Sequence, residues 1–133
     1  MHDAITCLEQ ERDFDAFAHI DYICRYWPYK GGELRLQDAP ELFDKLFLLL
    51  IEQNKPIEIN TRRLDDAAAV AGLLPLYKRY RELGGKYCTL GSDAHYKEHV
   101  GRRLQEALAL AAQAELTPVY FKARRMQIME GLK

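Results

Sequence analysis

The sequence predicts an α/β fold with parallel strands, and three observations carry that prediction. Short β-branched and aromatic runs alternate with longer stretches of helical periodicity, from a first helix to a last one with four strands between. At 133 residues the chain makes one domain or part of one, large enough to enclose a core. Hydrophobic residues make up 48% and charged residues 29%, the balance of a globular chain rather than a disordered one.

Residues 3–12 read as a helix, with Ile5 and Leu8 on one side and Glu9, Glu11 and Arg12 on the other. The run 14–21, Phe-Asp-Ala-Phe-Ala-His-Ile-Asp, reads as a buried strand with His19 and Asp21 on one face. Residues 25–32 form a loop whose Tyr26, Trp27 and Tyr29 suit the wall of a site, or equally a set of aromatics tucked on the core. Asp38 is expected to cap a helix running to about Gln53, with Glu41 as its capping-box partner and Pro40 in the first turn. Residues 56–61 make the next strand, with Glu58 and Asn60 on one face and Ile57 and Ile59 on the other. The Ala- and Asp-rich stretch 64–72 reads as irregular, and Pro75 as the opening of a helix that stops at Gly84-Gly85. A strand over 86–92, a helix from 102 to about 115, a strand over 117–121 and a terminal helix over 124–132 complete the expectation.

The stretch Leu90-Gly91-Ser92-Asp93-Ala94-His95 is the one around which function is organised. An extended chain sends residues two apart to the same side, so Asp93 and His95 are expected to project together where a strand opens into a loop. A carboxylate beside an imidazole can bind a metal ion or pass a proton. The alternative is an Asp capping the next helix beside a surface His. In parallel α/β proteins, sites lie at the carboxyl ends of the strands. His19, Asp21, Glu58, Asn60, Asp93 and His95 fall at such ends on three separate strands, with Arg62 and Arg63 just beyond. A one-metal site of Asp93, His95 and His99 is a lesser possibility, because it needs a helix starting at or before His95.

A net charge of −1 gives no general attraction to nucleic acid. Cys7, Cys24 and Cys88 are odd in number and lack zinc-ribbon spacing, which with no signal peptide suggests reduced thiols and a cytoplasmic location. No apolar run approaches the roughly 20 residues of a membrane span, so no membrane partner is expected.

The stretches 14–21 running on to Arg25-Tyr26, then Ile57-Glu58-Ile59-Asn60-Thr61, then Gly91-Ser92-Asp93-Ala94-His95 with Val100-Gly101, resemble the PHP superfamily of metal-dependent phosphoesterases, and within it the histidinol-phosphatases. The final Tyr120-Phe121-Lys122 fits the same pattern. The resemblance implies a distorted, TIM-like (β/α)7 barrel with divalent metals, Zn, Mn or Fe, clustered at its carboxyl pole. It implies His19, Asp93 and His95 as metal ligands, with Asp93 and His95 also as catalytic proton carriers. Glu58, Asn60, Arg62, Arg63 and Ser92 would then lie near the phosphate of a small phosphorylated substrate. The implied reaction is hydrolysis of a phosphate monoester, histidinol phosphate in the first instance, and the aromatic loop 26–29 is of a character to cover an imidazole ring.

The family's opening His-x-His strand is absent, as are its next His and bridging Glu; the four histidines are His2, His19, His95 and His99. The expectation is therefore a partial barrel, the C-terminal portion of such a domain with its N-terminal strands missing. Such a part-barrel exposes strand edges and interior, which invites homo-oligomerisation or association with a missing N-terminal half. The competing expectation is a non-catalytic relic or oligomerising module with a vestigial metal site.

Overall fold

The computed structural model describes residues 1–26, 28 and 32–131. The regular elements are α1 (His2–Gln10), α2 (Pro40–Glu52), β1 (Ile57–Asn60), α3 (Ala67–Glu82), β2 (Tyr87–Gly91), α4 (Leu104–Gln113), β3 (Thr117–Lys122) and β4 (Arg125–Ile128). One device hands the chain from each of three helices into a strand. After α2, Asn54 and Lys55 donate back to the carbonyls of Ile51 and Leu50. After α3, Gly84 and Gly85 donate to Arg81 and Tyr80, and after α4, Glu115 and Leu116 donate to Ala112 and Ala111. Asn54, Gly84 and Glu115 all have positive φ, so all three ends are Schellman closures that satisfy the last carbonyls and turn the chain.

The strands lie in the order β1-β2-β3-β4. The first three are parallel, with Asn60 opposite Gly91, and β4 runs antiparallel to β3. Ile57, Ile59 and Cys88 turn to the helices and pack with Phe43, Leu46, Phe47, Leu50, Leu76 and Tyr77 in a core closed to solvent. The alternation predicted for residues 56–61 therefore holds, and it leaves Glu58 and Asn60 on the opposite face.

Five expectations are corrected. The run 14–21 forms no ladder beyond one parallel bridge, Phe17 to Ile57, in which Phe17 N–H donates to the Pro56 carbonyl (3.0 Å) and Glu58 N–H to that of Phe17 (2.8 Å). Asp38 does not cap α2; it closes a 3-10 turn by pairing with Arg35, and α2 starts at Pro40 without a side-chain cap. The stretch 64–72 is largely helical, because Asp66 caps α3 by accepting from Ala68 N–H (2.9 Å) and the alanines that follow are the strongest helix formers. Pro75 sits inside α3 on its exposed face, with Ala71 exposed one turn earlier, so the Ala71 carbonyl that loses its partner can be hydrated. The expected terminal helix is instead β4, joined to β3 by Ala123 and Arg124, both in the left-handed region that a tight hairpin requires. Of the aromatic loop, Trp27, Tyr29, Lys30 and Gly31 lie outside the described residues. Among the described residues no helix is long and apolar enough to cross a membrane.

Phe47 is fully buried against Phe43 and Tyr80, at ring separations of 5.9 and 5.7 Å. Phe47→Ala is expected to lower unfolding free energy by about 3–5 kcal/mol in a urea titration. Burial pushes the Cys88 thiol up to about 12, whereas Cys7 is exposed. A thiol reagent at about pH 8 should therefore label Cys7 in the folded protein and Cys88 only on unfolding.

Candidate functional site

The site is built on the carboxyl ends of β1 and β2 and on the segment that precedes the 3-10 turn Tyr22–Tyr26. Glu58 is its footing. Its Oε2 accepts from the backbone N–H of His19 (3.0 Å) and from the Asn60 side-chain amide (3.3 Å). Its Oε1 lies over Gly91, so close that a Cβ there would stand 2.0 Å away. Glycine at position 91 is thus what lets a carboxylate cross from β1 over β2. The Asn60 amide also reaches His19 Nδ1 (3.3 Å), while Asn60 Oδ1 accepts from Arg62 N–H (3.0 Å), which leaves the buried Asn60 fully paired.

Seven described residues other than glycine have positive φ. Asn54, Arg103 and Glu115 sit at helix ends, and Ala123 and Arg124 make the hairpin turn. The other two are His19 (φ 58) and Asp93 (φ 50), which face each other across the site. Uncommon backbone conformations gather where side-chain placement matters. Here they override the alternation of an extended chain. His19 turns toward Glu58, while Asp21 is carried off to Arg63 (3.0 Å). Asp93 turns inward, and His95 stays largely exposed with its Nδ1–H donated to the Asp93 carbonyl (2.8 Å). That bond leaves His95 Nε2 as the outward lone pair.

Arg25 ties the two halves together. Its Nη2 stands 3.2 Å from His19 Nδ1 and 2.9 Å from Asp93 Oδ2. A guanidinium can only donate, so His19 Nδ1 accepts and the imidazole proton sits on Nε2. The Tyr22 ring lies 5.3 Å below the guanidinium and edge-on to His19. Arg62 Nη1 adds a second donor to Asp93 Oδ2 (3.1 Å). Burial raises the Asp93 carboxyl, but the Arg62 hydrogen bond and the charge of Arg25 outweigh it and hold the group below its usual value.

Of the residues singled out in the sequence, His19, Glu58, Asn60, Arg62, Asp93 and His95 come together at this pole. Ser92 is half-buried in the same loop. Arg63 stands apart, its two terminal nitrogens on Asp21 (3.0 Å) and Glu33 (2.5 Å), where it pins the loop that carries Arg25. His99 meets Tyr96 edge-on. The sequence placed Arg25 in a loop suited to a site wall and in one of the stretches that carry the resemblance, but gave neither it nor Glu33 a role of its own. The donor types, two imidazoles and a carboxylate, suit a divalent metal, but among the described residues no three His, Cys, Asp or Glu side chains converge to hold one. Asp93 Oδ2 and His19 Nδ1 are both engaged by guanidinium or amide donors, so the set does not fit a metal as it stands.

No protein-family model matches the chain. The fold itself has a solved counterpart: the crystal structure of histidinol phosphate phosphatase from Lactococcus lactis, complexed with Zn, L-histidinol and phosphate, superposes with a TM-score of 0.80 at 24% identity. The match covers 93% of this chain and 48% of that one. The class is thus an α/β fold of that phosphatase's kind. By sequence, a "Probable histidinol-phosphatase" of Clostridium acetobutylicum is 41% identical over 123 residues, 92% of this chain and 48% of its own. The histidinol-phosphatase of Lactococcus lactis is 30% identical over 113 residues, 83% of this chain and 42% of its own. The chain is a homologue of the histidinol-phosphatases, as its motifs indicate, and it spans about half the length of the relatives it matches.

Two outcomes test this geometry. Gly91→Ala must move the Glu58 carboxylate off the His19 amide; we expect a lower melting temperature and a shifted His19 N–H resonance. Because the Asp93 pKa is lowered, its contribution to stability is fully present above the ordinary carboxylate value, about 3.9, and is lost as pH falls through its own lower value. Asp93→Asn should therefore flatten the fall of melting temperature below about pH 4.

Proposed function

We propose that the chain is a C-terminal portion of a phosphate monoesterase of the histidinol-phosphatase type, a partial distorted (β/α)7 barrel that reaches activity when joined to the rest of its barrel. The observation that carries this reading is the pole itself. His19, Asn60, Arg62, Asp93 and His95 sit together at strand ends, in a chain 41% identical over 123 residues to a protein named as a histidinol-phosphatase. A phosphate ester is the anion that such a cluster of guanidinium and amide donors suits.

In this reading water attacks phosphorus, the ester P–O bond breaks, and the alcohol leaves with a proton. Arg62, the more exposed of the arginines on Asp93, meets the phosphoryl oxygens, while the Asn60 amide holds Glu58 and His19 in place beside it. His95, its Nε2 lone pair turned outward, carries the proton, with Asp93 setting its tautomer through the backbone carbonyl. Arg63 acts at one remove by fixing the loop of Arg25. His19, Asp93 and His95 contribute to a site for divalent metal, Zn, Mn or Fe, that needs further donors from outside these residues. Histidinol phosphate is the substrate class that the relatives' names point to.

The alternative, a module that retains the packing and a vestigial site, is favoured by the lack of three converging ligands among the described residues. Mixing the 133-residue chain with the separately expressed N-terminal half of the Clostridium acetobutylicum relative, in the presence of zinc, separates the two. Phosphate release from histidinol phosphate by the mixture, absent from either part and lost with Asp93→Asn, supports the enzyme. A stable complex without turnover supports the module.

A further inference from the structure

We infer that Arg25 competes with divalent cations for His19 and Asp93, so that metal enters this site by exchange with a guanidinium rather than by filling a ready cup. This rests on the reading of His19 and Asp93 as metal ligands given above. One nitrogen, Arg25 Nη2, lies within hydrogen-bond distance of both His19 Nδ1 (3.2 Å) and Asp93 Oδ2 (2.9 Å). An ion taking these two lone pairs would have to displace that nitrogen. A guanidinium stays protonated at any ordinary pH, so it cannot share them with a second cation. Arg25 and Asp93 are each only 13% exposed, which keeps water from screening their attraction. A second guanidinium, that of Arg62, lies on the same carboxylate oxygen (3.1 Å) and adds to the charge any ion must meet.

The exchange has somewhere to go. Arg25 already rests over the face of Tyr22, which is half exposed and tilted against the more exposed Tyr26. A small rotation of the side chain along that ring keeps the cation–π contact while removing the one nitrogen that spans both residues, leaving only the Asn60 amide on His19 Nδ1 (3.3 Å) and Arg62 on Asp93 Oδ2 (3.1 Å). Arg25 is thus a positioning residue for the pole: it links His19 to Asp93 through one nitrogen and sets how tightly an ion binds there.

The test is zinc affinity of the 133-residue chain, measured by competition with a chromogenic chelator, for wild type, Arg25→Gln, and Arg25→Gln combined with Asp93→Asn. Arg25→Gln is expected to bind zinc at least about tenfold more tightly than wild type, within the range by which neighbouring groups tune metal affinity. The added Asp93→Asn is expected to abolish the gain. Equal zinc affinity in wild type and a folded Arg25→Gln overturns the competition. A gain that survives Asp93→Asn overturns the metal-ligand reading itself, which keeps the two failures apart. Should Arg25→Gln fail to fold, the wild-type chain decides: zinc saturation must shift the Arg25 Nε–H resonance, and saturation that leaves that resonance in place overturns the proposal.

Discussion

Buried charge must be matched, and at the carboxyl ends of these strands that requirement orders everything else. Three half-buried or buried carboxylates, on Asp21, Glu33 and Asp93, arrive there from different segments, and each is met by an arginine. Arg63 joins Asp21 to Glu33 and so ties the ends of the loop to the turn after β1. Arg25 joins that loop to the end of β2 through Asp93. Removing one partner of such a pair leaves its counterpart uncompensated, so the pairs act as a set. By contrast, the ion pairs of Arg124 with Asp13 and Asp15 lie in solvent and contribute little.

The helix-to-strand joints and the inward faces of the strands were legible in the sequence where a local rule decided them. Ile57 and Ile59 alternate with Glu58 and Asn60, and the alternation alone assigns the faces. Gly84-Gly85 announces the end of α3, but Asn54 and Glu115 make the same turn with no such signal. Where local rules compete, the tertiary structure chose. Asp38 had a capping partner in sequence yet pairs with Arg35. Ala123 and Arg124 form a hairpin turn that neither residue type suggests, and so a strand stands where helical composition pointed to a helix.

The candidate site was legible as a list of residues and not as an arrangement. Period-two alternation rightly gathers Glu58 with Asn60, because both lie within β1. It fails for His19 with Asp21, because a left-handed residue at 19 breaks the extended chain just where the site begins. Asp93 and His95 do come near each other, 4.0 Å between Oδ1 and Nδ1, but around a left-handed residue at 93 rather than along a strand. The role of Gly91 is likewise invisible without the coordinates, since only there does the Glu58 carboxylate cross above it. Arg25 is the residue whose importance is most structural: its partners are six and sixty-eight positions away.

If this pole is held together by the pairing of Arg25 with Asp93, the two side chains must be energetically coupled well beyond a surface ion pair. A double-mutant cycle of Arg25→Gln and Asp93→Asn, read as unfolding free energy in urea, measures that coupling directly. A coupling of about 1–3 kcal/mol is the predicted result. Additive effects, within about 0.3–0.5 kcal/mol, would contradict the account.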